Sequence, residues 1–571
     1  MIGEFALPPG LVMLLGGAFV PLLGERWRSA GVLLLASLSL VIFCLTPGGT
    51  YGQFPFLGVA VTAVRIDPLS NLFGLVFHFA AILAAIFAWH LRDWRQQTAG
   101  TIYAGAAIAA CFAGDLLTLF VYWELTAIAS VFLVWAGGTR QAYRSGMRYL
   151  IVQVGSGVLL LSGVVIQYVE TQTLDFVSMT PASGVFSLGP LLILIAIGIK
   201  AAFPLLHNWL QDSYPQSTPS GTVYLSAFTT KLAIYALARG FPGTEALIWI
   251  GCAMTLFPII FAVIENDLRR VLAYSLNNQL GFMVVGIGIG SQLAINGAVA
   301  HAFCHIIYKS LLFMSMGAVL YRVGTVKATE LGGLYRSMPW TTGCCLIGAG
   351  AISGFPLLSG FISKSMILSA AGEAGLFWVW IILLVASAGV MEHSGIKIPF
   401  FAFFAHDSGK RPPEAPLHML VAMVIAAGLC VLLGIAYPLL YRGLPHQATY
   451  QPYTVAHVIT QLQLLMFAAL AFVFLMKTKR YPAEQRAINL DTDWIYRQAL
   501  PTLVAGFRIV LGASDRFVRN SAVRLIVAAI QLVKSWFDEH ALFGRPWSSG
   551  TMTFWAGVLL ASCLLLYYWT D

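Results

Sequence analysis

The chain has 571 residues, of which 58% are hydrophobic and 10% are charged, and its formal net charge is +9. This composition lies well outside the range of soluble globular domains, and it argues against a separate soluble domain and against nucleic acid as a partner. Apolar segments long enough to cross roughly 30 Å of hydrocarbon recur along nearly the whole length. The sequence therefore predicts an all-α, polytopic membrane protein embedded in a lipid bilayer.

Sixteen apolar segments are predicted to cross the membrane. The first has no basic region before it and no small-residue cleavage site, so it is expected to be retained rather than removed as a signal peptide. The predicted spans cover residues 7–23, 30–46, 69–91, 99–113, 116–136, 149–168, 186–210, 220–240, 246–264, 271–290, 293–321, 343–370, 376–405, 417–441, 456–476 and 552–569.

The positions of the 33 Lys and Arg residues predict how these spans are oriented. Seventeen of them lie in odd-numbered loops, three in even-numbered loops, and eight follow Tyr481. Because cytoplasmic loops carry most of the basic residues of membrane proteins, the odd-numbered loops are expected to face the cytoplasm. Both termini are then expected on the periplasmic side of a bacterial cytoplasmic (inner) membrane.

The region after the fifteenth span has a different pattern. From Pro501 to Arg545, apolar residues such as Phe507 and Leu511 alternate with basic residues such as Arg508 and Arg516. This pattern predicts an amphipathic helix that lies in the membrane interface ahead of the final span. At 1.5 Å per residue it would reach roughly 60 Å, so it serves either as a surface anchor or as a brace that touches a neighbouring subunit.

The eight cysteines all lie in apolar segments, without a C-x-x-C motif or a metal-ligand spacing. They are expected to be packing residues. The sequence predicts neither a metal site nor a cofactor site.

Five basic residues remain away from the ends of the predicted spans, and all are lysines: Lys200, Lys231, Lys309, Lys364 and Lys397. Each charged lysine costs roughly 2.5 to 3.5 kcal/mol at the centre of a membrane helix, so five of them require a functional reason. Because lysine gains and loses its proton readily when it is buried, these side chains are predicted to carry protons.

One carboxylate occupies a comparable position. Glu124 lies in the fifth span with no other charge near it in sequence, so its expected partner is a lysine of another helix. Such a pair either fixes helix packing as a static ion pair or acts as a switch whose strength changes as protons arrive.

The eleventh span carries His301, His305 and Lys309 at intervals of four residues, which places all three on one helix face. Two histidines at this spacing can bind zinc, but the glutamate of an H-E-x-x-H motif and a third ligand are not evident. A buried histidine can also be an ordinary core residue. Three titratable groups in a row inside a membrane favour a proton relay.

Two prolines are predicted to break helices. Pro204 follows Lys200, and the tetrapeptide of residues 203–206, Phe-Pro-Leu-Leu, recurs at 355–358 around Pro356. Broken helices at matching places are typical of transporters built from inverted repeats, although an echo of four residues can also be a coincidence. The predicted organisation is N-terminal helices over 1–95, two five-helix repeats over 96–240 and 245–405, and C-terminal helices over 406–571.

Five stretches of the sequence contain these residues: DLLTLFVYWELTAIASVFLV, GIKAAFPLLHNWLQDSYPQSTPSGTVYLSAFTTKLAIYAL, ENDLRRVLAYSLNNQLGFMVVGIG, HAFCHIIYKSLLFMSMGAVL and GFPLLSGFISKSMIL. In combination they resemble the antiporter-like membrane subunits shared by Mrp-type multisubunit cation/proton antiporters, respiratory complex I and membrane-bound hydrogenases. The resemblance covers roughly residues 60–405. Within it, SYPQSTPS and TTKLAIYAL are most similar to the D-type subunits of Mrp antiporters.

The resemblance implies roles for the residues of the first half. It pairs Glu124 with Lys200 of the broken seventh span, and it places Lys231 of the eighth span in the middle of a proton channel. The histidine that some members carry early in the eighth span is absent, since residues 225–228 read Leu-Ser-Ala-Phe.

For the second half, the resemblance assigns His301, His305 and Lys309 to a relay in the eleventh span. Lys364 corresponds to a residue of the broken twelfth span that is Lys in some members and Glu in others. All these groups are implied to form a hydrated polar axis along the membrane plane. Three further titratable residues have no role that the resemblance supplies: Glu392, His393 and Lys397.

The leading hypothesis is a proton-translocating subunit of a multisubunit antiporter that exchanges protons for Na⁺ or another monovalent cation. In this hypothesis Lys200 holds its proton while paired with Glu124, and the proton then moves through Lys231 and the histidines to Lys364. The alternative is the proton-pumping membrane subunit of an NADH-quinone oxidoreductase or membrane-bound hydrogenase, favoured by the C-terminal surface helix. A proton-supplying subunit of another ion or bicarbonate uptake complex is a third possibility. In each case other membrane subunits are expected partners.

Overall fold

The computed structural model describes residues 7–56, 58–481, 489, 491–538, 541, 544 and 547–570 of the chain. These residues divide into two compact units, the first ending at Asp491 and the second beginning at Thr492. Both units are mainly helical. The predicted end of the surface helix, Arg545, lies outside the described residues.

The first six predicted spans coincide with helices of the first unit. These helices are α1 (Leu11–Phe19), α2 (Glu25–Leu45), α3 (Pro68–Phe87), α4 (Trp94–Cys111), α5 (Leu116–Trp135) and α6 (Arg140–Thr171). A 3-10 turn, Val20–Leu22, continues α1. Asp67, Asp115 and Thr139 fix the starts of α3, α5 and α6, because each side chain accepts a hydrogen bond from a backbone N–H of the first helical turn.

The rest of the first unit follows the remaining predicted spans up to the fifteenth, with several interruptions. Its helices are α7 (Leu188–Lys200), α8 (Asn208–Ser213), α9 (Pro219–Ala227), α10 (Thr229–Gly240), α11 (Glu245–Ile264), α12 (Leu268–Ile289), α13 (Gln292–Val323), α14 (Pro339–Ser353), α15 (Ser359–Glu373), α16 (Phe377–Val390), α17 (Lys397–Pro399), α18 (Leu417–Ile435), α19 (Tyr437–Tyr441) and α20 (Val455–Lys477). Short 3-10 turns lie at Tyr214–Gln216, Ala328–Glu330 and Leu334–Arg336.

Among the described residues, ten helical segments are long and apolar enough to cross a membrane by themselves. They are α2, α3, α5, α6, α11, α13, the stretch Phe377–Phe404, α18, α20 and the segment Ser549–Trp569. The other six predicted spans fall on α1, α4 and α12, which are shorter or more polar, and on three interrupted helices. The polytopic helical architecture is confirmed, whereas the number of sixteen spans stays a prediction.

A β-hairpin that the sequence analysis missed connects α2 to α3. Its strands, β1 (Gly49–Phe56) and β2 (Val59–Ile66), pair antiparallel. β2 is attached to the start of α5, because the Thr62 N–H donates to the Asp115 carboxylate and the Gly114 N–H donates to the Thr62 carbonyl. The hairpin therefore fastens the N-terminal helices to the helix that carries Glu124.

Both helix breaks predicted at proline are present. The segment between α7 and α8 contains Pro204, and the segment between α14 and α15 contains Pro356. The repeated tetrapeptide adopts the same turn in both: Leu205 and Leu357 have φ of 70° and 71°, and the next N–H donates to the phenylalanine carbonyl at 2.9 and 3.1 Å. Proline followed by a residue of positive φ describes a type II turn.

This turn predicts an unusual response to glycine. A non-glycine residue with positive φ costs about 1–2 kcal/mol, and the Leu357 side chain is 56% exposed, so it contributes little packing to the core. We expect Leu357→Gly to maintain or raise the thermal unfolding temperature in detergent, and Leu357→Val to lower it. The control is Leu191→Gly at an exposed position of α7, which should lower stability by about 1 kcal/mol. Equal losses for both glycine variants would contradict the expectation.

Two further irregularities were not predicted. The eighth span is interrupted between α9 and α10 at Phe228, whose φ and ψ are −103° and −67°. The thirteenth span contains π-helical turns at Met391–Ile396 and Phe400–Phe404, on either side of α17. Pro399 lies between these turns and lacks the N–H that a regular helix requires. Such π turns are frequent at functional sites.

The element order of 96–240 recurs in 245–405. α5 and α12 both begin after a capping aspartate, Asp115 and Asp267, and each aspartate also forms a single antiparallel bridge with a residue beyond the next helix. Those next helices, α6 and α13, both contain 32 residues. A broken helix follows in each series. This order supports the two-repeat organisation, which remains a proposal.

The second unit contains α21 (Leu500–Trp536) and α22 (Ser549–Thr570), with a π turn at Ile495–Ala499 before α21. α21 falls within the predicted surface helix, and its described side chains are nearly all exposed. α22 coincides with the predicted final span. The location of α21 in the membrane interface stays a prediction.

Candidate proton pathway

The predicted titratable residues of the spans are buried within the first unit. All five lysines and the histidines at 301, 305 and 393 are at most 3% exposed, and Glu124 and Glu392 are half-buried. Burial of this many ionisable groups is compatible with folding only where polar partners or water are at hand. The identity of those partners defines the site.

The Lys200 amine, at the end of α7, is bound by α5. Its Nζ donates to the Trp123 carbonyl at 2.6 Å and to the Thr126 hydroxyl at 2.9 Å, and it lies 4.3 Å from the centre of the Trp123 ring. The break after Lys200 allows the chain to turn away from α5, so the amine sits at a helix end rather than inside a continuous helix.

Glu124 lies close to Lys200 but does not form a direct ion pair with it in the described structure. The two groups interact electrostatically, while Glu124 Oε1 is buried and has no hydrogen-bond partner among the described residues. The carboxylate rests against Gly157 of α6, where a Cβ atom would overlap it. The expected proximity is therefore present, and the carboxylate retains free hydrogen-bonding capacity.

A cluster of hydroxyl groups that the sequence analysis did not single out lies between Lys200 and Lys231. Ser130, one turn beyond Thr126, hydrogen-bonds the Tyr149 hydroxyl at 2.7 Å. Tyr149 also interacts with Thr229, which hydrogen-bonds the Tyr103 hydroxyl at 2.6 Å. Each hydroxyl can donate and accept, so this group of four residues can pass a proton from partner to partner.

The Lys231 amine is held by its own interrupted helix. Its Nζ donates to the Ser226 carbonyl, which lies on the other side of the break at Phe228. The interruption therefore provides a carbonyl oxygen for the amine. Lys231 also interacts electrostatically with Lys309 and with His305 of α13.

His305 and Lys309 have the fewest hydrogen bonds of the buried titratable residues described above. Both ring nitrogens of His305 and the Nζ of Lys309 are buried without a hydrogen-bond partner among the described residues. A native structure rarely leaves such atoms unpaired, and buried water is their usual partner. This section of the pathway is accordingly where water is expected.

His301 of α13 is hydrogen-bonded to both α12 and α15. Its Nδ1 hydrogen-bonds the Ser363 hydroxyl at 2.9 Å, and its Nε2 hydrogen-bonds Gln279 Oε1 at 3.2 Å. The Tyr308 hydroxyl donates to the same Gln279 oxygen at 3.1 Å. The His301 and His305 rings are 6.2 Å apart between centroids, so a small movement or one water molecule can join them.

Lys364 lies in the second half of the broken twelfth span. Its Nζ donates at 2.6 Å to the carbonyl of Ile352, in the last turn of α14, and lies 5.3 Å from the Phe282 ring centre. Beside it, Gln461 Nε2 donates to the Ser353 carbonyl. Gln461 also lines a cavity of about 320 Å³ together with Ser365 and His457.

The three residues without an assigned role lie together on the thirteenth span. Lys397 Nζ donates to the carbonyls of Val263 at 2.6 Å and Glu265 at 2.8 Å, where α11 ends. His393 Nδ1 hydrogen-bonds the Gly389 carbonyl at 2.6 Å. Glu392 accepts a hydrogen bond from the Tyr481 hydroxyl.

A buried histidine–aspartate pair was also missed. His207 follows the break at Pro204, and its Nε2 lies 2.7 Å from Asp491 Oδ2. The side chains are 1% and 4% exposed. The two residues are 284 positions apart, so no local pattern could reveal the contact.

The fold and these residues define a multi-pass α-helical membrane protein with a buried row of titratable side chains. The model of the NADH:quinone oxidoreductase/Mrp antiporter transmembrane family matches residues 113–389. The N subunit of the NADH-quinone oxidoreductase of Desulforudis audaxviator is 31% identical over 347 residues, which are 57% of this chain and 69% of that protein. The chain therefore belongs to the NADH:quinone oxidoreductase/Mrp antiporter family.

Two further similarities lie on the antiporter side of the family. The D subunit of the Na⁺/H⁺ antiporter of Alkalihalophilus pseudofirmus is 34% identical over 273 residues, covering 45% of this chain and 55% of that protein. The structure of the Mrp complex from Dietzia sp. DQ12-45-1b contains a chain that matches with a TM-score of 0.76, covering 92% of this chain and 62% of that one. At 23% identity this match establishes a shared fold.

Proposed function

We propose that the chain is a proton-translocating subunit of a multisubunit antiporter that exchanges protons for Na⁺ or another monovalent cation. The observation that carries the proposal is the series of buried and half-buried titratable groups from Glu124 to Lys364. Each member is adjacent to a carbonyl, a hydroxyl or another titratable group. The similarity to the D subunit of an Na⁺/H⁺ antiporter supports the antiporter assignment. Other membrane subunits would complete the complex.

In the proposed mechanism, Lys200 alternates between two partners. When it approaches Glu124, the carboxylate stabilises the ammonium form, and the proton is held. When it rests on the Trp123 carbonyl and Thr126, as in this structure, its proton can pass through the hydroxyl cluster of Ser130, Tyr149, Thr229 and Tyr103. Lys231 then accepts it.

The second half of the mechanism depends on repulsion between neighbouring cations. Lys231 and Lys309 interact electrostatically, so a proton on one disfavours a proton on the other. Two unit charges 4 Å apart interact by about 4 kcal/mol at an effective dielectric of 20. Arrival of a proton at Lys231 would therefore displace one from Lys309 through His305 and His301 towards Lys364.

An Na⁺ gradient tests the proposal directly. The complex that co-purifies with the chain in mild detergent would be reconstituted into liposomes containing a pH-sensitive dye. An imposed Na⁺ gradient should move protons in the opposite direction without any reductant, and a protonophore should abolish the pH change. Empty liposomes are the control. The proposal is wrong if protons move only when NADH with a quinone, or hydrogen, is supplied.

That second outcome would favour a redox-driven complex. The similarity to the N subunit of an NADH-quinone oxidoreductase supports this alternative. The same axis would then carry protons, and the driving reaction would lie in partner subunits.

A further inference from the structure

The thirteenth span carries three titratable residues that the proposed mechanism does not use. We infer that Glu392, His393 and Lys397, here called the outlet cluster, exchange protons between the axis and the aqueous phase on the side of the odd-numbered loops. The inference rests on the proposed function. It places an opening of the proposed proton axis at the thirteenth span, which the spacing of the lysines and histidines did not indicate.

The contacts of the outlet cluster place it near the helix ends that adjoin the odd-numbered loops. Lys397 binds the carbonyls of Val263 and Glu265, directly before the ninth loop. In that loop region, Glu265 pairs with Arg270 at 3.6 Å. Glu392 binds the hydroxyl of Tyr481, which follows the basic fifteenth loop. Both loops belong to the group that carries most of the Lys and Arg residues.

The segment that carries the outlet cluster also contacts the proposed proton axis. Gly395 packs so closely on the end of α14 that a Cβ atom would overlap the Ser353 hydroxyl. Ser353 directly follows Ile352, whose carbonyl binds Lys364. His393 interacts electrostatically with Lys309, Lys364 and Lys397. The π turn of residues 391–396, which carries two of the three residues of the outlet cluster, is therefore in contact with the Lys364 site.

The hydrogen bond of His393 leaves one nitrogen ready to accept a proton. A carbonyl can only accept, so Nδ1 must carry the hydrogen that is donated to Gly389. In the neutral ring Nε2 is then an acceptor, and it is buried without a hydrogen-bond partner among the described residues. Glu392 Oε2 is likewise buried and unpaired there. An unpaired acceptor between Lys364 and Lys397 is suited to receive a proton from one amine and to release it to the other.

One-sided chemical access tests the location of the outlet. In a chain with Cys44→Ala and Cys563→Ala, His393→Cys would be treated with a membrane-impermeant methanethiosulfonate in vesicles of either orientation. Labelling is expected from the face that labels Lys410→Cys in the thirteenth loop and not from the face that labels Arg442→Cys in the fourteenth. The matched control is Val390→Cys, buried on the same helix. No labelling above that control, or labelling from the Arg442→Cys face, would overturn the inference.

Proton flux tests the function of the outlet. His393→Gln can still donate to the Gly389 carbonyl but cannot carry a proton, so flux in the reconstituted complex should fall by roughly fivefold or more. Ser394→Ala, next to it in the π turn, should retain normal flux. Normal flux through His393→Gln would overturn the inference. Labelling does not require transport. A result that contradicts the proposed function would therefore not prevent the labelling experiment from testing the location of the outlet.

Discussion

Replacing Lys231 with methionine is expected to lower proton flux through the reconstituted complex by roughly tenfold or more. Methionine retains the length and much of the volume of lysine, so the fully buried site should stay packed. The variant loses the amine that lies between the hydroxyl cluster and the unpaired groups His305 and Lys309. Neither the Ser226 carbonyl nor the neighbouring apolar groups can carry a proton in its place.

The control for this variant is Lys327→Met, which removes an exposed lysine from a loop. Both proteins should assemble to the same yield, and dye fluorescence after an Na⁺ jump should distinguish them. Wild-type flux through Lys231→Met would mean that protons bypass the break at Phe228. The proposed order of transfer would then be wrong.

The sequence was informative wherever a residue type is rare in its surroundings. A lysine or glutamate inside an apolar span is conspicuous because burying it is costly, so Lys200, Lys364 and Glu124 could be selected by position alone. Proline removes a backbone donor, and the repeated Phe-Pro-Leu-Leu tetrapeptide indicated breaks at Pro204 and Pro356, whereas Pro258 lies inside the continuous helix α11. These features depend on local chemistry.

The features that were missed depend on contacts between distant segments. Tyr103 and Thr229 are 126 positions apart, and neither residue type is unusual in a membrane helix. The break at Phe228 has no adjacent proline or glycine to indicate it. It occurs in a segment rich in serine and threonine, whose hydroxyls can compete for backbone hydrogen bonds, and Ser226 Oγ does donate to the Val223 carbonyl. Phe228 itself packs edge-on against Phe77 of α3 and Tyr103 of α4.

The expected pairing of Glu124 with Lys200 shows what a sequence can and cannot specify. The resemblance placed the two residues together, and the structure brings them within electrostatic range. Which partner the amine selects depends on distances of a few ångströms, and here it binds the Trp123 carbonyl and Thr126. The proposed switch consists of exchanging these partners, so its role is tested by altering the carboxylate.

Glu124→Gln is expected to reduce proton flux by roughly tenfold while leaving assembly intact. Glutamine retains the shape that fits against Gly157 but removes the negative charge. Charges 4 to 8 Å apart interact by roughly 2 to 4 kcal/mol at an effective dielectric of 20. Each 1.4 kcal/mol changes a protonation equilibrium by about tenfold, so Lys200 would lose its means of holding a proton between transfers.

The matched control is Glu170→Gln, which removes the charge of an exposed carboxylate that hydrogen-bonds Ser187. The unfolding temperature, the yield of complex and the flux per assembled complex together separate two explanations. If Glu124 only fixes helix packing, Glu124→Gln should lower the unfolding temperature and the yield of complex, and the flux per assembled complex should be normal. If Glu124 controls the charge on Lys200, the yield should be unchanged and the flux per complex should fall, because the amine then stays bound to the Trp123 carbonyl.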